Sequence, residues 1–170
     1  REAGMTVLTP PQDLISGKTY QGQADQIMDW VEQNAGRADV MVLSTDTLIY
    51  GGLVDSRKHN IPLSTLQNRL KRIEGLKARN KNVRIYGFGT VMRSPRASGG
   101  GTEPAYYAEY GPTIFQIAAL QDKLDSGSLT QEETQKMMSL QASVPVEYLQ
   151  DWFDRRQKNM KINKELIDET

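Results

Sequence analysis

The 170-residue sequence predicts an α/β fold, in which a parallel sheet of about three strands in βαβαβ order is followed by a helical C-terminal segment. Three observations carry that expectation. Short β-type apolar runs recur at residues 5–8 (MTVL), 40–43 (VMVL) and 83–91 (VRIYGFGTV). Segments of helical length and period lie between them, and right-handed crossovers of that kind make the joined strands parallel. After residue 110 the apolar residues recur only at helical spacing.

Taken in order, residues 5–8 read as the first strand, closed by Thr9-Pro10-Pro11 because proline cannot donate to a ladder. A polar loop over residues 12–22 leads to a helix over about 23–35, with Ala24, Ile27, Trp30, Val31 and Ala35 on one face and Gly36 as its stop. The second strand, residues 40–43, is apolar on both faces, as expected of a parallel strand covered on both sides. A loop over residues 46–57 follows, then a strongly periodic helix over about 62–79, with Leu63, Leu66, Leu70, Ile73 and Leu76 in one stripe and Pro62 suited to its first turn. The third strand is residues 83–91.

Residues 93–102 (RSPRASGGGT) predict a mobile loop, since three consecutive glycines and a proline oppose regular structure. A tyrosine-rich helical turn over 103–110 precedes a helix from Pro112 to about Ser126. Thr130 and Glu133 have the spacing of a capping box for a helix to about Ala142, in which Met137 and Met138 are assigned to the core. A last helix starts at Pro145 and reaches about Ile167, its apolar face thinning after Phe153. The expected division is an α/β region over 1–110 and a helical segment over 111–170, packed on it or on a partner.

Composition sets limits on function. Charged residues make up 25% and hydrophobic residues 38%, ordinary values for a globular protein, and no apolar run approaches the roughly 20 residues of a membrane span. No cysteine is present, which excludes disulfides, thiolate metal sites and cysteine nucleophiles without fixing the compartment. The single histidine, His59, lies between Lys58 and Asn60 in a surface-like loop and reads as non-catalytic, and one imidazole excludes a multi-histidine metal site. Neither a metal nor a cofactor is expected. The chain starts at Arg1 without the pattern of a signal peptide, so either an export segment has been removed or this is part of something longer.

Net charge is zero, but residues 56–96 hold eleven basic residues and one acid, Glu74. That asymmetry suits an anionic partner, or a basic helix face that is solvated or packed on an acidic surface of the same protein. Nucleic acid is not expected, because aromatic residues are not interleaved with the charges and no nucleic-acid motif occurs.

The loops leaving the carboxyl ends of parallel strands share one edge, where open α/β sheets place their ligands. This gathers Asp13, Ser44, Asp46, Tyr50, Gly51, Gly52, Arg57, Arg93 and Arg96. Asp46 follows a buried strand, where desolvation would suit it to acid or base work; otherwise its carboxylate caps loop amides or pairs with Arg57 or Arg93. Gly51 and Gly52 admit a ligand close to the backbone or supply positive φ for a turn, and their spacing fits no phosphate-loop or dinucleotide fingerprint. Arg57 and Arg93 can hold a carboxylate or phosphate, or form internal ion pairs with Asp46 or Asp55. Glu103, Tyr106, Tyr107, Glu109 and Tyr110 offer rings beside carboxylates, suited to sugar stacking or to packing.

The segment STDTLIYGGLVDSR, with TPPQDLISG and DQIMDWVEQNAGRADV before it and GFGTVMRSP after it, resembles a bacterial family catalogued as domain of unknown function 4127. The likeness covers about residues 5–110 and weakens beyond. It implies an N-terminal fragment of a larger protein, with a further strand before this chain and a large half after it. It also implies that the family's recurrent loop falls on Ser44, Asp46, Tyr50, Gly51, Gly52, Ser56, Arg57 and Arg93. No activity comes with it.

The function that these residues suggest is hydrolysis of carbohydrate, with Asp46 as acid or base, Arg57 and Arg93 holding a polar substrate, and a second carboxylate from Glu103 or from the absent half. The alternatives are a non-catalytic module binding a small anion through the basic segment, and an inactive fragment whose open sheet edge needs the remaining chain or a second copy.

Overall fold

The computed structural model describes residues 4–97 and 100–168. It is a mixed α/β structure in which helices dominate. The chain divides into two compact units, one of Arg1–Thr90 with Lys164–Thr170 and one of Val91–Asn163.

In the first unit, α1 (Ala24–Asn34) and α4 (Leu63–Arg79) are amphipathic helices, and β1 (Val40–Ser44) and β2 (Arg84–Phe88) are the strands. Two short helices, α2 (Thr45–Tyr50) and α3 (Asp55–Lys58), follow β1 directly. They occupy the stretch expected to be a loop. Their helicity rests on local chemistry: Ser44 caps α2, its Oγ accepting from the Thr47 amide at 3.3 Å, and Gly51 ends α2 at φ 101°. Only glycine adopts that conformation without strain.

β1 and β2 pair in parallel, with Val42 opposite Tyr86 and Ser44 opposite Phe88. Among the described residues the sheet has two strands, not the three expected. Residues 5–8 stay out of it: Val7 is 72% exposed, and no residue of the run is buried. Apolar β-type composition allowed a strand there, but a strand also needs a neighbouring edge and a covered face, and this run has neither.

The second strand was expected to be buried on both faces. Instead its burial alternates: Met41 and Leu43 are buried, whereas Val42 is 69% exposed. Tyr86 and Phe88, on the same side as Val42, are each 57% exposed. The core of this unit comes from Ile27, Met28 and Val31 of α1, Leu48 and Ile49 of α2, and Leu66, Leu70, Ile73 and Leu76 of α4, with α1, α2 and α4 in mutual contact.

The second unit contains α5 (Tyr107–Asp125), α6 (Gln131–Ala142) and most of α7 (Val146–Asp168). Its core is Tyr107, Ile114, Ile117, Val144 and Trp152. α5 begins before Pro112 rather than at it, so the separate turn and the following helix are one element. Proline there forfeits one helical hydrogen bond. The bare Gly111 backbone lets the Tyr107 ring lie against it, where a Cβ would come within 2.6 Å of the ring, and burial of Tyr107 and Ile114 offsets the loss. The capping box forms as expected: the Glu133 amide donates to Thr130 Oγ1 at 3.2 Å and the Thr130 amide to Glu133 Oε2 at 3.1 Å. Met137 is buried, but Met138 faces outward. In the expected mobile loop, Ser98 and Gly99 lie outside the described residues.

Candidate functional site

The carboxyl end of β1 builds the site. Thr45 Oγ1 donates to the Phe88 carbonyl at 3.1 Å, tying the ends of the two strands together, and α2 then turns Asp46 and Tyr50 inward, one helical turn apart. Asp46 is 5% exposed and accepts from Thr90 Oγ1 at 3.0 Å. Burial raises its pKa above the usual carboxylate range, against hydrogen bonds from Thr90 and the positive charge of Arg57. Those opposing influences leave a carboxyl that keeps its proton longer than a surface aspartate yet has support for its charged form.

Tyr50 is 3% exposed and its hydroxyl has no hydrogen-bond partner among the described residues. Burial raises the phenol pKa, and the nearby Asp46 charge raises it further, so it remains a donor. Its ring lies 4.9 Å from the ring of His59. His59 is buried rather than on the surface, and its Nδ1 accepts the Ile61 amide at 3.2 Å. An acceptor at Nδ1 puts the proton of the neutral ring on Nε2. Sequence reading set His59 aside because its neighbours Lys58 and Asn60 are polar, and no local signal in the sequence marks its burial.

Gly51 and Gly52 serve the chain's own packing. A Cβ on Gly51 would come within 2.6 Å of the Gly22 carbonyl, and one on Gly52 would collide with Ser16 Oγ. The backbone that approaches them here is therefore residues 16–22. Asp55, at the start of α3, accepts the Gly22 amide at 3.2 Å, and burial raises its pKa as well. Arg57 is half-buried on α3. Asp13 is exposed in a 3-10 turn, Gln12–Leu14.

Arg93 and Arg96 belong to the second unit. Arg93 lies 3.5 Å from the buried Glu103 carboxylate, and Arg96 lies over the Phe115 ring. Arg156 stacks on Trp152 at 3.1 Å, and Trp152 stacks on Tyr107 at 4.3 Å. Burial brings the Arg156 pKa down to about 10. Tyr106 donates to Asp151 at 2.6 Å and stacks on Tyr148. Tyr106 and Tyr107 are thus packing residues of this unit's core.

Three arginines of the basic segment are answered by acids of α1 within the first unit. Arg69 pairs with Asp25 at 2.6 Å, Arg72 with Asp29 at 2.6 Å and Glu32 at 2.7 Å, and Arg79 with Glu32 at 2.8 Å. The hydrogen bond from Arg69 lowers the Asp25 pKa and that from Arg72 lowers the Glu32 pKa. This removes three arginines from any surface offered to an anionic partner. Among the described residues no three acidic or histidine side chains converge to hold a metal ion, and no helix is long and apolar enough to cross a membrane.

No curated protein and no solved structure matches the chain. One family model does, over residues 1–170: Protein of unknown function (DUF4127).

Proposed function

Because the chain belongs to DUF4127, a family whose description names no activity, we propose from its own residues that it is a hydrolase acting on carbohydrate, with Asp46 as the proton-transfer group. The observation that carries this reading is the buried Asp46 carboxyl at the carboxyl end of β1, its pKa raised by desolvation while Thr90 and Arg57 support the ionised form. A general acid must hold its proton near the working pH and still release it, and a carboxyl in such balance can protonate a departing sugar oxygen.

Glycoside cleavage uses a second carboxylate about 5–10 Å from the first. Asp55 takes that role in this reading. Its pKa, like that of Asp46, is raised chiefly by burial, and it is half-buried rather than sealed, so water can reach it. Tyr50, with its unpartnered hydroxyl beside Asp46, supplies a further donor for a polar substrate.

The test is turnover of a panel of aryl glycosides by the wild type and by Asp46→Asn, with circular dichroism to confirm the fold. Loss of acid–base catalysis should lower kcat by about 10²–10⁴. Full turnover in Asp46→Asn, or no turnover by the wild type across the panel, overturns the reading.

A further inference from the structure

A cavity of about 500 Å³ opens between residues 17–21 and the stretch from Val54 to Thr65. That size lies within the range of small-molecule sites, about 300–1,000 Å³. Asp55 and His59 are among its walls and Asp46 is not, so it shares two residues with the site described above but not the Asp46 carboxyl.

Its walls are chemically mixed in a particular way. Lys18 and Lys58 bring two positive charges against one carboxyl, Asp55, which accepts the Gly22 amide and lies within the field of Lys58, leaving a net excess of one positive charge. Gln21 and Asn60 add amide groups able both to donate and to accept. Tyr20 adds an exposed aromatic ring that is held in place: the Gly17 amide donates to the Tyr20 carbonyl at 3.1 Å, and the ring lies so close to Gly17 that a Cβ there would collide with it. An excess of positive charge selects an anion, paired donor–acceptor groups match vicinal hydroxyls, and a fixed ring face matches the C–H face of a sugar.

We propose that this cavity binds a small anionic sugar, one carrying a phosphate or carboxylate held by Lys18 and Lys58, with the sugar ring on Tyr20 and its hydroxyls on Gln21 and Asn60. The proposal goes beyond the hydrolase reading, because Asp46 does not line the cavity, and it rests on that reading only for the chemistry assigned to Asp55. Binding is measured without turnover, so the two ideas fail separately.

The experiment is isothermal titration calorimetry with glucose 6-phosphate, glucuronate, glucose and inorganic phosphate as probes. The wild type, Lys58→Ala and Tyr20→Ala are compared, with Lys81→Ala as a charge control outside the cavity. At least one charged sugar should bind at least about tenfold more tightly than either glucose or phosphate. Lys58→Ala should weaken it about tenfold, Tyr20→Ala should weaken it measurably, and Lys81→Ala should leave it within about twofold. Added salt should weaken it too, since the positive charges lie at an open mouth.

No saturable binding of either charged sugar below about 10 mM overturns the proposal. So does phosphate binding as tightly as the sugars, or a charged-sugar affinity indifferent to both Lys58→Ala and Tyr20→Ala. Charged sugars bound as expected but never turned over would keep this site and remove the hydrolase. Neutral glycosides turned over with no charged sugar bound would do the reverse.

Discussion

Tyr50→Phe is the most informative single substitution. The Tyr50 side chain is 3% exposed, its hydroxyl oxygen is sealed from solvent, and that oxygen has no partner among the described residues. Burying a hydroxyl without a hydrogen bond costs about 1–3 kcal/mol by the measure of protein substitutions. Phenylalanine keeps the ring, its burial and its contact with His59 at 4.9 Å, and discards only the orphaned group. The variant should therefore gain about 1–3 kcal/mol. With an m-value near 2 kcal/mol per M, the urea midpoint of the first unit should rise by about 0.5–1.5 M with unchanged m. Hydrogen exchange of the α2 amides, followed across the urea titration, separates this unit from the second. If the midpoint falls instead, the hydroxyl is donating to a partner and the reasoning fails. A protein that keeps a destabilising hydroxyl in its core keeps it for another reason. Under the proposed function, the stabilised variant should also turn over substrate more slowly.

Three further outcomes follow from the same geometry. In Asp46→Asn, stability should exceed that of the wild type at neutral pH, and the gap should close as pH falls toward the usual carboxylate range. The sign follows from the raised native pKa: as pH climbs from the unfolded value of 3.8, the unfolded chain ionises first and the wild type loses stability until Asp46 ionises too. Urea midpoints taken from pH 3 to pH 8 would show it. Arg72→Ala should cost about 0.5–1 kcal/mol, less at high salt, since its pairs with Asp29 and Glu32 are partly exposed, and NMR titration should show the Glu32 pKa moving up toward its ordinary value. Leu43→Ala should cost about 2–4 kcal/mol while Val42→Thr, one residue away, stays within about 0.5 kcal/mol. Equal costs would contradict the one-sided burial of β1.

Much of the local structure was legible in the residues. The stripe Leu66, Leu70, Ile73 and Leu76 recurs at helical spacing, and α4 buries those four side chains. Thr130 and Glu133 announce α6 through a bond pattern that closes within four residues. The run at residues 40–43 became β1, and it delivers Asp46 to the strand end where a carboxyl becomes interesting. The α2 helix was hidden because six residues between a strand and Gly51 are too few to show a period, and its cap is a serine that could equally have begun a turn.

What the sequence by itself determined is therefore short-range: which segments coil, where β1 ends, and that Asp46 stands at that end. Only the tertiary structure decided what those segments meet. Residues 5–8 have strand composition but no covered face beside a sheet edge, and Val42 and Tyr86 point outward. The basic face of α4 is answered by Asp25, Asp29 and Glu32, about forty residues earlier in the chain. Gly51 and Gly52 are glycines because residues 16–22 cross them, and His59 is buried with its ring against that of Tyr50. Each of these depends on two distant stretches arriving at one place. Such meetings leave no local period in the sequence, since either partner alone reads the same whether or not the other arrives.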